Sequence, residues 1–564
     1  MRPKIIFRCA LAVFCAARLA LLCAAPSVYA QGGEPQYFAI RGAKVVPVSG
    51  PPVENATIVI SRGLIAAIGK DVAIPPEAWV IDGKGLTVYP GLVDAFTDVG
   101  IPAAAPPGGE AGPRRGAQEG AARGPEDRPL STPWRSGADE VSLSDKRIET
   151  WRNGGFTTVV SAPKGGIFPG QAAVLDLAGE RAGDLVVKSP VAIPLSLQTS
   201  GGFFGGFPSS IMGTLAYIHQ VWLDTAWSID AQTVYEKTPR SVARPRYDRT
   251  EAALAQALED HALVLIPANN SIQLRRALDL VDRWDVNGAI YGGQMAYEVA
   301  PEIAAKKLPV LVNLKWPEAE KDADPEDKVS LRTLRFRDRA PSSPSALAKA
   351  GVKFAFYSGG ISAPKDALKA AKKSIDAGLS ADAALRALTL STAEIFGVAD
   401  RLGSIENGKI ANLVITDGDL FEEKTKIKIV FVDGHRFEVR EPEKPRDPPK
   451  GDISGIWKLS YTTPDGPDDS TADFTMEKDG SISGTITGKR GTSLIITGYL
   501  SVDKFSFTIN ILLEGSPADV IFSGTFDGTS LRGNISVQGI SLDFTGVKSP
   551  GNSDATAAVL GGTL

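Results

Sequence analysis

The hydrophobic pattern changes period several times along the chain. Over residues 37–82 short apolar runs (38–40, 44–48, 57–61, 64–69 and 79–82) alternate with glycine turns. Runs of that length between turn residues predict a small antiparallel sheet. Residues 86–89 and then 92–93, separated by Pro90-Gly91, read as entry into a buried parallel strand. Residues 101–140 break the pattern. They are rich in Pro, Gly, Ala and Arg with almost no large apolar side chain, which predicts a disordered insertion.

Regular alternation then resumes. Strands are expected at 157–161, 262–267, 289–292, 310–314 and 354–358, and helices at 148–153, 252–258, 272–284, 297–305, 346–350 and 367–390. Strand-helix repetition of this length predicts an α/β fold, a TIM-type (β/α) barrel over residues 91–399. Short strands with glycine turns return at 403–439, so residues 36–90 and 400–440 are expected to combine into one composite flanking β-sandwich. Residues 441–450 carry four prolines among charges and read as a stiff linker. From 451 to 549 the period is two, with turns such as Asp479-Gly480 and Asp527-Gly528, which predicts about eight strands in an antiparallel β-barrel. Residues 550–564 are small and polar, a loose tail.

Composition narrows the function. The chain has 564 residues, 43% hydrophobic and 22% charged, as expected of several globular units. Arg2, Lys4 and Arg8 head an apolar run interrupted by Arg18, and Val28-Tyr29-Ala30 offers a cut before Gln31. Residues 1–30 are therefore expected to be a signal peptide, giving a secreted or periplasmic protein with no membrane attachment after cleavage. Cys9, Cys15 and Cys23 all lie in that segment, so thiol redox chemistry and thiolate-metal sites are not expected in the mature chain. The formal charge of −4 becomes −8 once the four bases of the leader are removed, a poor basis for nucleic-acid binding. The glycine run 201–207 lacks the Lys-Ser/Thr of a phosphate loop and reads as a lid or surface contact.

Three stretches carry a family resemblance: Val80-Ile81-Asp82-Gly83-Lys84-Gly85, Pro90-Gly91-Leu92-Val93-Asp94-Ala95, and residues 401–414, which run Arg-Leu-Gly-Ser-Ile-Glu-Asn-Gly-Lys-Ile-Ala-Asn-Leu-Val. Over residues 36–439 the chain resembles the amidohydrolase superfamily, most closely its imidazolonepropionase-like members. The resemblance implies a barrel with a flanking β domain. It also implies hydrolysis of carbon-nitrogen bonds other than peptide bonds, at one or two divalent metals held by a His-x-His pair, two further histidines and an aspartate. Side chains two apart on a strand point the same way, which is why that spacing can hold one ion. Here the pair is replaced by Phe96-Thr97-Asp98, and the later strands end in Asn269, Gly292-Gly293-Gln294 and Ser358-Gly359-Gly360. The pattern needs four histidines and the chain has three, His219, His261 and His435, in contexts that suit surface or capped side chains. No metal and no cofactor are expected.

The strand ends keep polar groups. Thr97, Asn269, Gln294 and Ser358 are candidate pocket residues, and Asp98 is the candidate catalytic base. Such groups can orient a ligand but cannot generate hydroxide at neutral pH as a metal does. Asp94 reads as structural, Lys164 has no evident group to depress its pKa, and Trp222 and Trp227 read as core. Three functions are compatible with this pattern. The first is a non-catalytic binding or partner subunit, associated with an active amidohydrolase homologue or with further copies of itself, its small-molecule ligand unknown. The second is a metal-independent hydrolase using Asp98. The third is a carrier of a small apolar ligand in the C-terminal barrel, whose opening Gly455-Ile456-Trp457 looks lipocalin-like.

Overall fold

A computed structural model of the protein describes residues 37–102, 128–199, 207–319, 328–439, 447–463, 466–477, 479–488, 491–513, 516–537 and 540–549. The expected signal peptide, most of the glycine run, the proline linker at 441–446 and the tail from 550 lie outside the described residues.

Strands β1 (Tyr37–Val45), β2 (Val53–Ser61) and β3 (Leu64–Gly69) form an antiparallel meander, and β4 (Trp79–Asp82) and β5 (Thr87–Pro90) run parallel to β1. Gly91 then passes so close to the barrel that an added Cβ would lie 2.0 Å from Thr157 Oγ1, so the signature's glycine is a packing requirement.

The barrel follows: β6 (Leu92–Thr97), α1 (Arg147–Asn153), β7 (Phe156–Ser161), β8 (Ala172–Asp176), β9 (Val186–Pro194), α2 (Ile211–Lys237), α3 (Arg249–Glu259), β10 (Leu263–Ala268), α4 (Ser271–Trp284), β11 (Gly288–Gly292), α5 (Ala300–Lys306), β12 (Val310–Asn313), α6 (Leu331–Arg339), α7 (Ser343–Lys349), β13 (Phe354–Tyr357), α8 (Pro364–Asp376), α9 (Ala381–Ala387) and α10 (Leu390–Ile395). The strands pair in sequence order from β6 to β13. The Ser358 N–H, donating to Asp94 Oδ1 at 3.0 Å, brings the two end strands together into a nearly closed barrel. Five neighbouring pairs are parallel, but β8 runs antiparallel to both β7 and β9. This corrects the expectation of simple strand-helix alternation, in which neither β8 nor β9 had been placed. The connections 162–171 and 177–185 are shorter than the dozen or more residues that a parallel crossover needs, so the chain turns back on itself there.

Alternation sorts the strand residues. Leu263 and Leu265, Ala289 and Tyr291, Leu311, and Ala355 and Tyr357 belong to the inner cluster. Val264, Ile266, Ile290, Val310 and Phe356 pack with the helices outside.

The insertion expected to be disordered over 101–140 is ordered at its end. Arg128 bonds Asp224 on α2 at 2.7 Å, Asp248 at 3.1 Å and Glu251 on α3 at 2.5 Å, and Leu130 and Ser131 are buried. A shortage of large apolar side chains is offset there by charge pairing and by backbone bonds such as Gly137 N–H to Gln171 O. Residues 103–127 lie outside the described residues.

After the barrel, β14 (Leu413–Thr416), β15 (Ile427–Val432) and β16 (His435–Glu438) extend the first sheet through β5, making the composite domain expected from both ends of the barrel sequence. Asn412 ties this sheet to the barrel. Its amide donates to Thr158 Oγ1 at 3.1 Å and Asp176 Oδ1 at 2.9 Å, and its Oδ1 accepts from the Asp433 N–H at 2.7 Å.

Residues 440–564 are a separate compact unit. Its strands β17 (Gly455–Thr463), β18 (Gly466–Met476), β19 (Ile482–Gly488), β20 (Gly491–Ser501), β21 (Lys504–Leu513), β22 (Ser516–Phe526), β23 (Ser530–Val537) and β24 (Ile540–Lys548) close into an antiparallel barrel of eight strands. Among the described residues no helix is long and apolar enough to cross a membrane.

Candidate functional site

The carboxyl ends of the barrel strands are where this architecture places chemistry. At the end of β6, Phe96 occupies the first position of the expected His-x-His pair. Its ring packs 5.1 Å from Tyr291 on β11 and 5.9 Å from Tyr357 on β13, and the two tyrosines are 6.3 Å apart. Two of the ring pairs meet edge-on and the Phe96–Tyr291 pair is tilted, a favourable aromatic cluster in which each pair contributes about 0.5–1.5 kcal/mol beyond its buried area. The Tyr291 hydroxyl donates to Leu195 O at 2.6 Å, and burial pushes both phenols well above their usual range. They are neutral side chains fixed in place.

Asp98, at the second position, is an ion-paired group. Lys164 Nζ lies 2.9 Å and Arg147 3.2 Å from its Oδ1. Partial burial pushes its pKa up, but the Lys164 hydrogen bond and the Arg147 charge outweigh this and hold it below the usual carboxylate range. Arg147 is itself held by Asp145 at 2.8 Å. A carboxylate stabilised in this way is a weak base, so the arrangement disfavours Asp98 as the group that activates water. Lys164, for which the sequence offers no group to depress its pKa, is thus one half of an ion pair with Asp98.

The remaining candidates do not converge on one point. Thr97 Oγ1 accepts from the Val99 N–H at 3.4 Å. Asn269 is exposed at the end of β10, with its backbone N–H held by Gln273 Oε1 at 2.8 Å. Gln294 was expected to line a pocket, but its amide is buried and spent on the carbonyls of Asn313 at 3.2 Å and Lys315 at 2.6 Å, where it clamps the exit of β12. Ser358 is buried beside Asp94.

Asp94 is the least expected member of the site. It is fully buried and its Oδ1 accepts from the Phe96 and Ser358 N–H groups at 3.3 and 3.0 Å, whereas Oδ2 has no hydrogen-bond partner. Burial raises its pKa to about 6 despite the Ser358 and Phe96 hydrogen bonds. The sequence missed Tyr291, Tyr357 and the role of Arg147. Strict alternation over Ala289-Ile290-Tyr291 and Ala355-Phe356-Tyr357 puts both tyrosines inside at the strand ends, and would have found them.

The divalent metal implied by the fold family does not fit these donors. A phenyl ring stands at one ligand position and an ion-paired carboxylate at the next, with amides and a hydroxyl beyond. Among the described residues no three His, Cys, Asp or Glu side chains cluster to hold an ion. The three histidines lie elsewhere. His219 on α2 accepts from Trp284 Nε1–H at 3.0 Å, His261 follows α3 with φ 57°, and His435 begins β16. Of the two tryptophans read as core, Trp222 is buried and stacks on Trp284 at 5.5 Å, but Trp227 is 68% exposed.

The nearly closed barrel and the sheet built from both flanks define the class, the amidohydrolase fold. Residues 302–440 match the amidohydrolase family model. An amidohydrolase from Thermotoga maritima shares the fold at a TM-score of 0.58 and 22% identity, covering 71% of this chain and all of the other. A Xaa-Pro dipeptidase (TM-score 0.45, 17% identity, 71% of this chain and all of the other) and a further amidohydrolase (TM-score 0.46, 19% identity, 72% and all) align more loosely. No curated protein matches the chain.

Proposed function

We propose that this chain is an exported, non-catalytic member of the amidohydrolase superfamily that serves as a binding or partner subunit. The observation that carries the proposal is the Phe96–Tyr291–Tyr357 cluster, which fills the barrel where the family mechanism needs ligands, next to an Asp98 already neutralised by Lys164 and Arg147. Superfamily hydrolysis depends on a metal-bound hydroxide, and the side chains at these strand ends supply neither the ligands nor a strong base in its place. Export rests on the basic head Arg2, Lys4 and Arg8 and the apolar run that follows. The test is turnover of a panel of cyclic amides, N-acyl amino acids and dipeptides, with and without added Zn²⁺. The expected result is no turnover above the uncatalysed rate in either condition. Zn²⁺-dependent hydrolysis with saturation kinetics would refute the proposal.

A further inference from the structure

The composite sheet meets the side of the barrel at β15 and β16, and the apolar part of that contact is small. Val430 and Val432 of β15 and Ala178 form a buried cluster of their own, with Ile427, Phe437 and Val439 at its margin, apart from the cores of the barrel and of the sheet. A satellite cluster of this size contributes little, so the polar ties beside it decide how firmly the sheet is docked. Asn412 bonds Thr158 and Asp176 on the barrel side and the Asp433 N–H on the sheet side. Arg152 on α1 donates to Leu177 O at 2.9 Å and lies 3.8 Å over the Phe437 ring of β16.

The titratable groups at this junction all act in one direction. Asp176 is buried, and its Oδ1 accepts from Thr158 at 2.6 Å and from Asn412 at 2.9 Å. Burial pushes its carboxyl up to about 7, and the charge of Asp433 adds to the rise while Arg401 opposes it. Burial likewise raises Asp433, with His435 and Arg401 opposing and Asp184 adding. Arg401 keeps its charge and donates to Val187 O at 2.7 Å, and Asp184 is held ionised by Arg181 at 2.8 Å, so neither changes near neutral pH. From β7 the junction receives the uncharged Thr158, and from α1 the permanently charged Arg152.

We propose that this junction is a pH-sensitive contact, in which β15 and β16 are docked on the barrel at acid pH and loosen as the pH rises past neutrality. At acid pH Asp176 is a neutral acid suited to its buried place, and a protonated His435 stands near Asp433. At higher pH Asp176 becomes a buried charge opposite a second carboxylate, and His435 is neutral. Both changes favour hydrating the junction, which requires opening only the small Val430–Val432–Ala178 cluster. Asp176 lies above its unfolded value of 3.8, so its stabilisation is fully present below about pH 4 and lost as pH rises to about 7. The opening equilibrium therefore rises up to about tenfold per pH unit in that interval, about thirtyfold between about pH 5.5 and 7.

Hydrogen exchange of the full chain at about pH 5.5 and about pH 8, read by mass spectrometry and corrected for the intrinsic rate at each pH, tests this. Amides of residues 427–438 should lose at least about tenfold in protection at the higher pH. There they should also exchange at least about tenfold faster than those of β10–β12 in the same sample, because the junction opens while the barrel stays folded. Asp176→Asn keeps an acceptor for Thr158 and Asn412 but gains no charge, and should hold the protection of 427–438 within about threefold across the range. Equal exchange of 427–438 and β10–β12 at the higher pH would mean that the sheet opens only with the whole barrel, and would overturn the proposal without recourse to a variant. Protection of 427–438 that is independent of pH in the wild type, or that falls as far in Asp176→Asn as in the wild type, would overturn it equally.

Discussion

Lys164 Nζ sits 2.9 Å from Asp98 Oδ1, so the one carboxylate left at the end of β6 is neutralised by a cation from the loop after β7. Asp98→Asn is therefore expected to leave any hydrolysis rate unchanged. Because the Lys164 and Arg147 side chains are substantially exposed, stability should fall by no more than about 1 kcal/mol. Asp98 has a depressed pKa, so its contribution is present above the unfolded carboxylate range and lost as pH falls through the folded value. Acid titration of wild type against Asp98→Asn, followed by circular dichroism, checks the sign; a kinetic assay checks the rest.

Phe96 is expected to contribute through packing. Phe96→Ala should destabilise the barrel by about 2–4 kcal/mol by opening a gap beside Tyr291 and Tyr357. Phe96→His should also lower stability without conferring metal binding, because Asp98, Asn269 and Gln294 remain unsuited as co-ligands. Thermal melts with and without Zn²⁺ distinguish the two contributions. A Zn²⁺-induced rise in Tm for Phe96→His would show that the remaining donors are better arranged than described.

Asp176 should make the barrel less stable as pH rises. It is buried between Thr158 and Asn412, and burial raises its pKa to about 7. Its folded pKa lies above the unfolded value of 3.8, so the associated stability is fully present below about pH 4 and lost as pH rises to about 7. A shift of that size corresponds to about 4 kcal/mol by linkage. Asp176→Asn keeps an acceptor for Thr158 and Asn412 and should flatten the decline. Denaturant midpoints between pH 4 and 8 measure it, and an unchanged slope in the variant would contradict the assignment.

In the C-terminal barrel Phe507 stacks on Phe522 at 4.7 Å and on Phe505 at 5.9 Å, and Phe522 meets Phe544 at 5.4 Å. Phenylalanine rings occupy the interior that a carrier of a small apolar molecule would need to leave open. Phe507→Ala should cost about 3–5 kcal/mol and create a site for a fluorescent apolar probe that the wild type does not bind. Probe binding to the wild type at low micromolar affinity would restore the carrier function.

The barrel and both β units were legible in the sequence because their signals are local: apolar periodicity, glycine turns and the signature around Gly91 and Asn412. The antiparallel β8 was not, since direction depends on the length of the connections and not on strand composition. Residues 128–140 looked too polar to order, and they are held by Arg128 reaching acids on α2 and α3 far along the chain. At the candidate site the presence of Phe96 where the resemblance leads one to expect a histidine could be read directly. The Tyr291 and Tyr357 rings that surround it, and the burial of Gln294, are long-range packing outcomes that no short window of residues displays.

The most direct measurement is elemental analysis of the purified full chain for zinc, manganese, iron, cobalt and nickel. With an aromatic cluster and an ion-paired Asp98 at the ligand positions, the metal-to-protein ratio should stay far below one, before and after incubation with excess metal and desalting. One tightly held divalent ion per chain, lost on substitution of Asp98 or Asp94, would contradict the non-catalytic assignment.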